Sequence, residues 1–190
     1  GAAEPRYLLG MLLVQTGRND QALVHLREAV RLAPDNPLGL RALGHANLAA
    51  QRAEEAADAF GRLAALRPDL AEGHFGQGNA LRDLGRMADA VQAYRRAVAA
   101  DPKSPHARIN LGVMLHGTAA YDEAVSVLRE AADLAPDSYA ARYNLGYVLS
   151  LQRRFDEAAE AYRAALALDP GSGAAHLNLG SVLQNQHKVD

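Results

Sequence analysis

The stretch PHARINLGVMLHGTAAYDEAVSVLREAADLAPDS (105–138) runs directly into YAARYNLGYVLSLQRRFDEAAEAYRAALALDPGS (139–172). The two match at Asn110-Leu111-Gly112 and Asn144-Leu145-Gly146, at Ala124 and Ala158, and at Pro136 and Pro170, always 34 residues apart. The same step continues outward from these two units. Pro stands at 34, 68 and 102, Gly at 10, 44, 78 and 180, and Ala at 22, 56 and 90. Three ladders in one register divide the chain into units 3–36, 37–70, 71–104, 105–138 and 139–172, with a sixth opening at 173 and reaching half its length at Asp190. A fixed period of this size marks stacked supersecondary units, none of which can bury its apolar face alone.

Each unit contains two apolar-periodic stretches. In the fifth, Ala141, Leu145, Val148 and Leu149 recur at helical spacing, as do Ala158, Tyr162, Ala165 and Leu166. Strand-like alternation is absent, and the abundant Ala, Leu, Arg and Glu favour helix. Asn36, Ser104, Ser138 and Ser172 stand just before successive first helices, where a side-chain oxygen caps free N–H groups. The recurrent Pro two residues earlier cannot continue the preceding helix. Gly17 and Gly85 suit the left-handed residue that ends a first helix. Asp20, Glu54-Glu55, Asp122-Glu123 and Asp156-Glu157 open second helices, matching the positive end of the dipole. Eleven helices and no strands are predicted, so the fold class is all-α. A mid-helix Gly costs about 0.8–1.0 kcal/mol relative to Ala, so the Gly ladder needs a packing reason. The expectation is that each Gly faces the ladder Ala of the second helix, with Leu26, Phe60, Tyr94, Leu128 and Tyr162 filling the space beside it.

Composition bounds the chemistry. Among 190 residues, 49% are hydrophobic and 5% aromatic, with no Trp, so the core must be aliphatic. The absence of Cys removes disulfides, thiolate nucleophiles and Cys-based metal sites. Twenty Lys+Arg against 22 Asp+Glu gives a net charge of −2, which argues against a basic stripe for nucleic acid or anionic lipid. No apolar run approaches the roughly 20 residues of a membrane helix, so no membrane insertion is expected. Gly1-Ala2-Ala3 has neither an initiator Met nor a basic–apolar leader pattern and reads as the edge of a fragment. The compartment stays open, with the cytoplasm slightly favoured.

These ladders resemble the tetratricopeptide repeats, whose pattern of Leu-Gly, a mid-unit Ala and aromatic, and a late Pro is met by Leu111-Gly112, Ala124, Leu128 and Pro136. It is met again by Leu145-Gly146, Ala158, Tyr162 and Pro170. The resemblance covers essentially the whole chain and implies one domain over 1–190. That domain would be a right-handed superhelical α-solenoid of five complete helix-turn-helix repeats plus a C-terminal half repeat. The departures are specific. The family's Trp position holds Arg6, Leu40, His74, Arg108, Arg142 and His176, and Gln77 replaces a Leu. Leu177, Val182 and Leu183 are expected to cover the fifth repeat.

Catalytic signals are nearly absent. Gly76-Gln77-Gly78 begins like a dinucleotide fingerprint, but Leu81 takes the third glycine's place and no strand precedes it. Gly171-Ser172-Gly173 lacks the Lys-Ser/Thr ending of a phosphate loop. Seven His show no His-Glu-x-x-His spacing. Acidic pairs fall at helix starts, and Arg95-Arg96 and Arg153-Arg154 read as solvated faces. No catalytic residue, cofactor or metal is expected.

In the resembled fold the first helices line a concave groove. Two places before each ladder Gly stand Leu8, Ala42, Gly76, Asn110, Asn144 and Asn178. Three places before stand Tyr7, Arg41, Phe75, Ile109, Tyr143 and Leu177, and one place after stand Met11, His45, Asn79, Val113, Tyr147 and Ser181. An amide both donates and accepts, so amides in a row can grip an extended peptide backbone. The row resembles the asparagine ladder of O-GlcNAc-transferase repeats. The competing reading is that these Asn only bond neighbouring repeats. The resemblance implies a peptide-binding face of Phe75, Asn79, Asn110, Tyr143, Asn144, Tyr147 and Asn178. A carboxylate clamp of the chaperone-type repeats is disfavoured, because Phe75, Ala140 and Asn144 stand where its basic residues belong. The expected function is a non-enzymatic scaffold that binds a protein or extended peptide, not nucleic acid. The alternatives are the substrate-recruiting arm of a larger glycosyltransferase and a self-assembly module that forms homo-oligomers through its terminal repeats.

Overall fold

The computed structural model describes residues 2–186. Its elements are α1 (Ala3–Gln15), α2 (Asn19–Leu32), α3 (Pro37–Ala49), α4 (Ala53–Leu66), α5 (Ala71–Asp83), α6 (Met87–Ala100), α7 (Pro105–Gly117), α8 (Tyr121–Leu134), α9 (Tyr139–Leu151), α10 (Phe155–Leu168) and α11 (Gly173–Gln186). These are eleven helices and no strand among the described residues, an all-α helical repeat. The chain divides into two compact units, Gly1–Pro102 with α1–α6 and Lys103–Asp190 with α7–α11.

Caps fall where the sequence places them. Asn36 Oδ1 accepts from the backbone N–H of Leu38 (3.0 Å) and Gly39 (3.4 Å). Ser104, Ser138 and Ser172 Oγ accept from Ala107, Ala141 and Ala175. Inside each repeat the first helix ends on one left-handed residue, at Gly17, Gln51, Gly85, Ala119 and Arg153, with φ of 73°, 57°, 72°, 60° and 59°. The following residue reaches back to close the turn, as in Arg18 N to Leu13 O at 2.9 Å and Arg154 N to Leu149 O at 3.0 Å. This is the bonding that glycine favours at a helix end. The sequence flagged only the two glycines, because a Gln, Ala or Arg held left-handed leaves no mark in composition.

The ladders form the seam of each hairpin. Ladder Gly and large residue meet directly: a Cβ added at Gly10, Gly44, Gly78, Gly112 or Gly146 would lie 2.5–3.0 Å from Leu26, Phe60, Tyr94, Leu128 or Tyr162. The large side chain takes the nearest place over each Gly, and at Gly10 the ladder Ala faces it as well, with Ala22 O 3.4 Å from the added Cβ; Ala22, Ala56, Ala90, Ala124 and Ala158 are buried. Phe60 is gripped from both sides, since a Cβ at Gly76 would also lie 2.6 Å from its ring. Burying one such side chain contributes about 1.5–3 kcal/mol, which outweighs the helix penalty of its glycine. Gly76-Gln77-Gly78 is thereby accounted for as ring packing on Phe60 and Tyr94.

The sixth unit departs from expectation. Ala175 and Val182 of α11 are buried and Leu183 is half-buried, but Leu177 is 72% exposed. Three before the ladder Gly the other first helices hold Tyr7, Arg41, Phe75 and Tyr143 half-buried and Ile109 buried, so Leu177 is the exposed member of its register. The expected half repeat of 173–190 is described only to Gln186, and 187–190 lie outside the described residues.

Candidate peptide-binding face

In the second unit the first helices touch one another, α7 with α9 and α9 with α11. Three of the predicted amides are distributed over them: Asn110 on α7, Asn144 on α9 and Asn178 on α11, all half-buried. Asn144 Nδ2 donates to Ala140 O of its own helix at 2.8 Å. Asn178 Nδ2 donates to Tyr143 Oη at 3.0 Å and so ties α11 to α9. Both readings of the row thus have a footing: Asn178 braces neighbouring repeats, whereas Asn144 bonds its own helix.

Tyr143 and Tyr147 flank Asn144. Tyr139, Tyr143 and Tyr147 follow at every fourth position of α9, one face of a helix. Tyr139 and Tyr143 stack with centroids 5.5 Å apart, and Tyr147 meets His116 of α7 edge-on at 5.1 Å. Tyr139 Oη shares a hydrogen bond with Ser172 Oγ at 2.6 Å. Tyr147 is 37% exposed.

The other two predicted residues, Phe75 and Asn79, lie in the first unit on α5, and both rest on Tyr94. The Phe75 ring meets Tyr94 edge-on at 5.8 Å, and Tyr94 Oη donates to Asn79 Oδ1 at 2.7 Å. Burial pushes the Tyr94 hydroxyl up to about 12, and does the same to Tyr162. Ser150 and Asn178 offset part of that shift at Tyr162, yet neither meets hydrogen-bond geometry with its buried hydroxyl, which has no partner.

Sequence reasoning missed the work of the position where the family carries Trp. His74 Nε2 donates to Pro68 O (3.1 Å), Arg142 to Pro136 O (2.8 Å from its terminal nitrogen) and His176 Nε2 to Pro170 O (2.9 Å). A donor six residues after the ladder Pro thus fastens the inter-repeat turn, and the recurring offset was visible in the sequence. A carbonyl only accepts, so His74 Nε2 carries the proton, and its buried Nδ1 has no partner. Also missed was a cleft of about 700 Å³ among α4, α5 and α6, lined by Gly61, Ala64, Pro68, His74, Gln77 and Arg96. Gly61 stands where other repeats carry Arg27, Arg95, Arg129 and Arg163, and Gln77 Nε2 would be 2.9 Å from a Cβ there.

Among the described residues no group of three or more His, Asp or Glu is placed to hold a metal ion, and no helix is long and apolar enough to cross a membrane. Stacked helical hairpins with amides and rings along their first helices define a helical repeat scaffold. The tetratricopeptide repeat model matches residues 7–71, 41–105, 75–139, 119–173 and 143–186, and the chain belongs to the tetratricopeptide repeat family. Proteins of this family are protein-interaction scaffolds, and the fold is typically non-catalytic. No curated protein matches the chain in sequence.

Solved structures share the fold at low identity. A MamA structure from Desulfovibrio magneticus RS-1 is 21% identical with a TM-score of 0.83, covering 92% of this chain and 98% of its own. YrrB, described as a TPR protein with an unusual peptide-binding site, is 22% identical with a TM-score of 0.80, covering 91% and 89%. TTC0263, a thermophilic TPR protein of Thermus thermophilus, is 23% identical with a TM-score of 0.65, covering 96% and 100%.

Proposed function

We propose that the chain is a non-enzymatic scaffold whose first helices hold an extended peptide segment, with Asn110, Asn144 and Asn178 meeting its backbone. The observation that carries this reading is the repetition of half-buried amides at one register of α7, α9 and α11, with Asn144 bonded only within its own helix. Tyr143 and Tyr147 supply apolar contact beside it. Phe75 and Asn79 offer a second contact on the first unit, where the Asn79 oxygen accepts from Tyr94. A structural relative that binds peptide, YrrB, lends the reading support at the level of fold. The recruiting arm of a glycosyltransferase would use this same face. Selection of displayed twelve-residue peptides on the chain tests the proposal. Enriched sequences should lose binding to a variant carrying Asn110→Ala and Asn144→Ala, but not to Arg129→Ala with Arg163→Ala on second helices. Equal binding to both variants would contradict it.

A second reading, self-assembly, is favoured by exposed apolar residues on α1 and α11: Leu8 (58%) and Leu12 (57%) of α1, and Leu177 (72%) of α11. Light scattering across concentration, with Leu177→Ser as the comparison, decides it. A mass independent of concentration removes this reading.

A further inference from the structure

The seam that closes every complete hairpin is open on α11. At Gly10, Gly44, Gly78, Gly112 and Gly146 an added Cβ would lie 2.5–3.0 Å from the large side chain of the same repeat's second helix. At Gly180 it would meet nothing within 4 Å among the described residues. Leu177 stands three before Gly180, on the same face of the helix. Its counterparts Phe75 and Tyr143 turn their rings onto the large residue of their own hairpin, Tyr94 at 5.8 Å and Tyr162 at 5.7 Å. Leu177 meets no such residue among the described ones and is 72% exposed.

A charge beside this seam is open as well. An Arg that follows the large residue links one second helix to the next by reaching an acid just before the ladder Ala. Arg27 of α2 lies 3.8 Å from Glu55 of α4, and Arg129 of α8 pairs with Glu157 of α10. Arg163 holds the same place on α10, is exposed, and pairs with no described residue. The acid and the large residue keep a fixed spacing: Glu55 with Phe60, Glu123 with Leu128, Glu157 with Tyr162, always with the ladder Ala just after the acid. A single helix with that spacing, laid where a second helix packs in the complete repeats, would bring its large residue to Gly180 and its acid to Arg163. Covering Leu177 removes apolar surface from water and drives association, while the ion pair fixes register more than affinity.

We propose that α11 and Arg163 form a docking site for one amphipathic helix of a partner protein, carrying Glu-Ala, then three residues, then Tyr, Phe or Leu. The large side chain packs on Gly180 beside Leu177, and the Glu pairs with Arg163. The site takes a helix where the peptide-binding reading takes an extended segment, uses none of the amides, and stands independently of that reading.

The probe is a labelled synthetic peptide of the chain's own residues 154–169 with blocked ends, which carries Glu157-Ala158 and Tyr162 in the required spacing. Fluorescence anisotropy reads its binding to the whole chain. Gly180→Leu in the chain, or Tyr162→Ala in the peptide, should weaken binding by about tenfold or more. The thermal melt of the Gly180→Leu chain should not fall, because free space lies beside that position. Arg163→Glu in the chain should weaken binding about two- to fivefold, and a peptide carrying Glu157→Lys should restore it. Absence of binding, or binding that ignores both Gly180→Leu and the peptide's Tyr162→Ala, would overturn the proposal. So would a chain that is already dimeric and that Gly180→Leu turns monomeric, since the occupant would then be a second copy.

Discussion

The two compact units use the same hairpin and expose different chemistry. In the first, α1, α3 and α5 carry Glu4, Arg6, Arg41, Glu72, Arg82 and Asp83. Several of these are paired on the surface: Arg41 lies 3.5 Å and His45 Nε2 3.0 Å from Glu72, and Arg82 bonds Asp83 at 2.8 Å. In the second, α7, α9 and α11 replace that network with amides and tyrosines. Because the ladder residues are shared and the face residues are not, the repeat core and the outward face vary independently. Stability belongs to the first set, and the proposed recognition to the second.

The largest expected effect tests the shared half of that contrast. Gly44→Leu in the first unit and Gly112→Leu in the second should each destabilise by roughly 1–3 kcal/mol, since no space exists beside Phe60 or Leu128. Thermal melts that fall in one variant but not the other would show that the seam differs between units. Gly180→Ala serves as the control, because a Cβ there meets nothing within 4 Å, so helix propensity should raise stability instead.

Next come the two buried tyrosines, one per unit. Tyr94→Phe leaves Asn79 Oδ1 without its donor and should cost about 0.5–1.5 kcal/mol. Tyr162→Phe removes a hydroxyl that has no partner and should be neutral or stabilising. Their titration has a definite sign. Both hydroxyls are raised from 10.0 to about 12 in the folded chain, so the folded state holds these protons more tightly than the unfolded one. The associated stability is complete below pH 10 and is lost as pH rises from 10 to 12. Urea midpoints across that range should decline in the wild type and decline less with both tyrosines changed to Phe.

A smaller effect separates the turns. The first unit has glycine at two of its three left-handed positions, whereas the second has Ala119 and Arg153. Ala119→Gly relieves a conformation that costs an L-residue roughly 1–2 kcal/mol but adds unfolded-state entropy worth about 0.4–1 kcal/mol. A net gain of about 0.5–1 kcal/mol in chemical denaturation is expected, and a loss would mean that Ala119 is unstrained. Smallest of all, Glu72→Gln should change stability by less than about 1 kcal/mol, as exposed ion pairs contribute little. High salt should erase that difference.

What the sequence revealed follows from what a period can encode. Pro, Gly and Ala ladders fix element number, order and boundaries, because each acts locally: Pro stops a helix, Gly permits contact, and Ser or Asn caps. How closely a neighbour approaches a ladder Gly is decided in three dimensions, and there Leu26, Phe60, Tyr94, Leu128 and Tyr162, expected beside the ladder Ala, press directly on the Gly. Leu177 was expected to cover the fifth repeat, and its register is buried at Ile109, yet among the described residues no helix follows α11 to pack on it and it stays exposed. The amide row was legible as a row. That Asn178 reaches Tyr143 while Asn144 turns to its own helix was not, because both side chains occupy the same repeat position and differ only in their neighbours.

The claim that the second unit's amides serve a partner and not the fold is tested most directly by one paired measurement on Asn110→Ala with Asn144→Ala. Affinity for a peptide enriched on the wild-type chain is titrated calorimetrically, and the same samples are melted. Each lost amide contact is worth about 0.5–1.5 kcal/mol, so affinity should fall by about one to two orders of magnitude. The melt should stay within about 1 kcal/mol of wild type, as Asn144 bonds its own helix. Normal affinity together with an early melt would contradict the claim and make these asparagines struts of the fold.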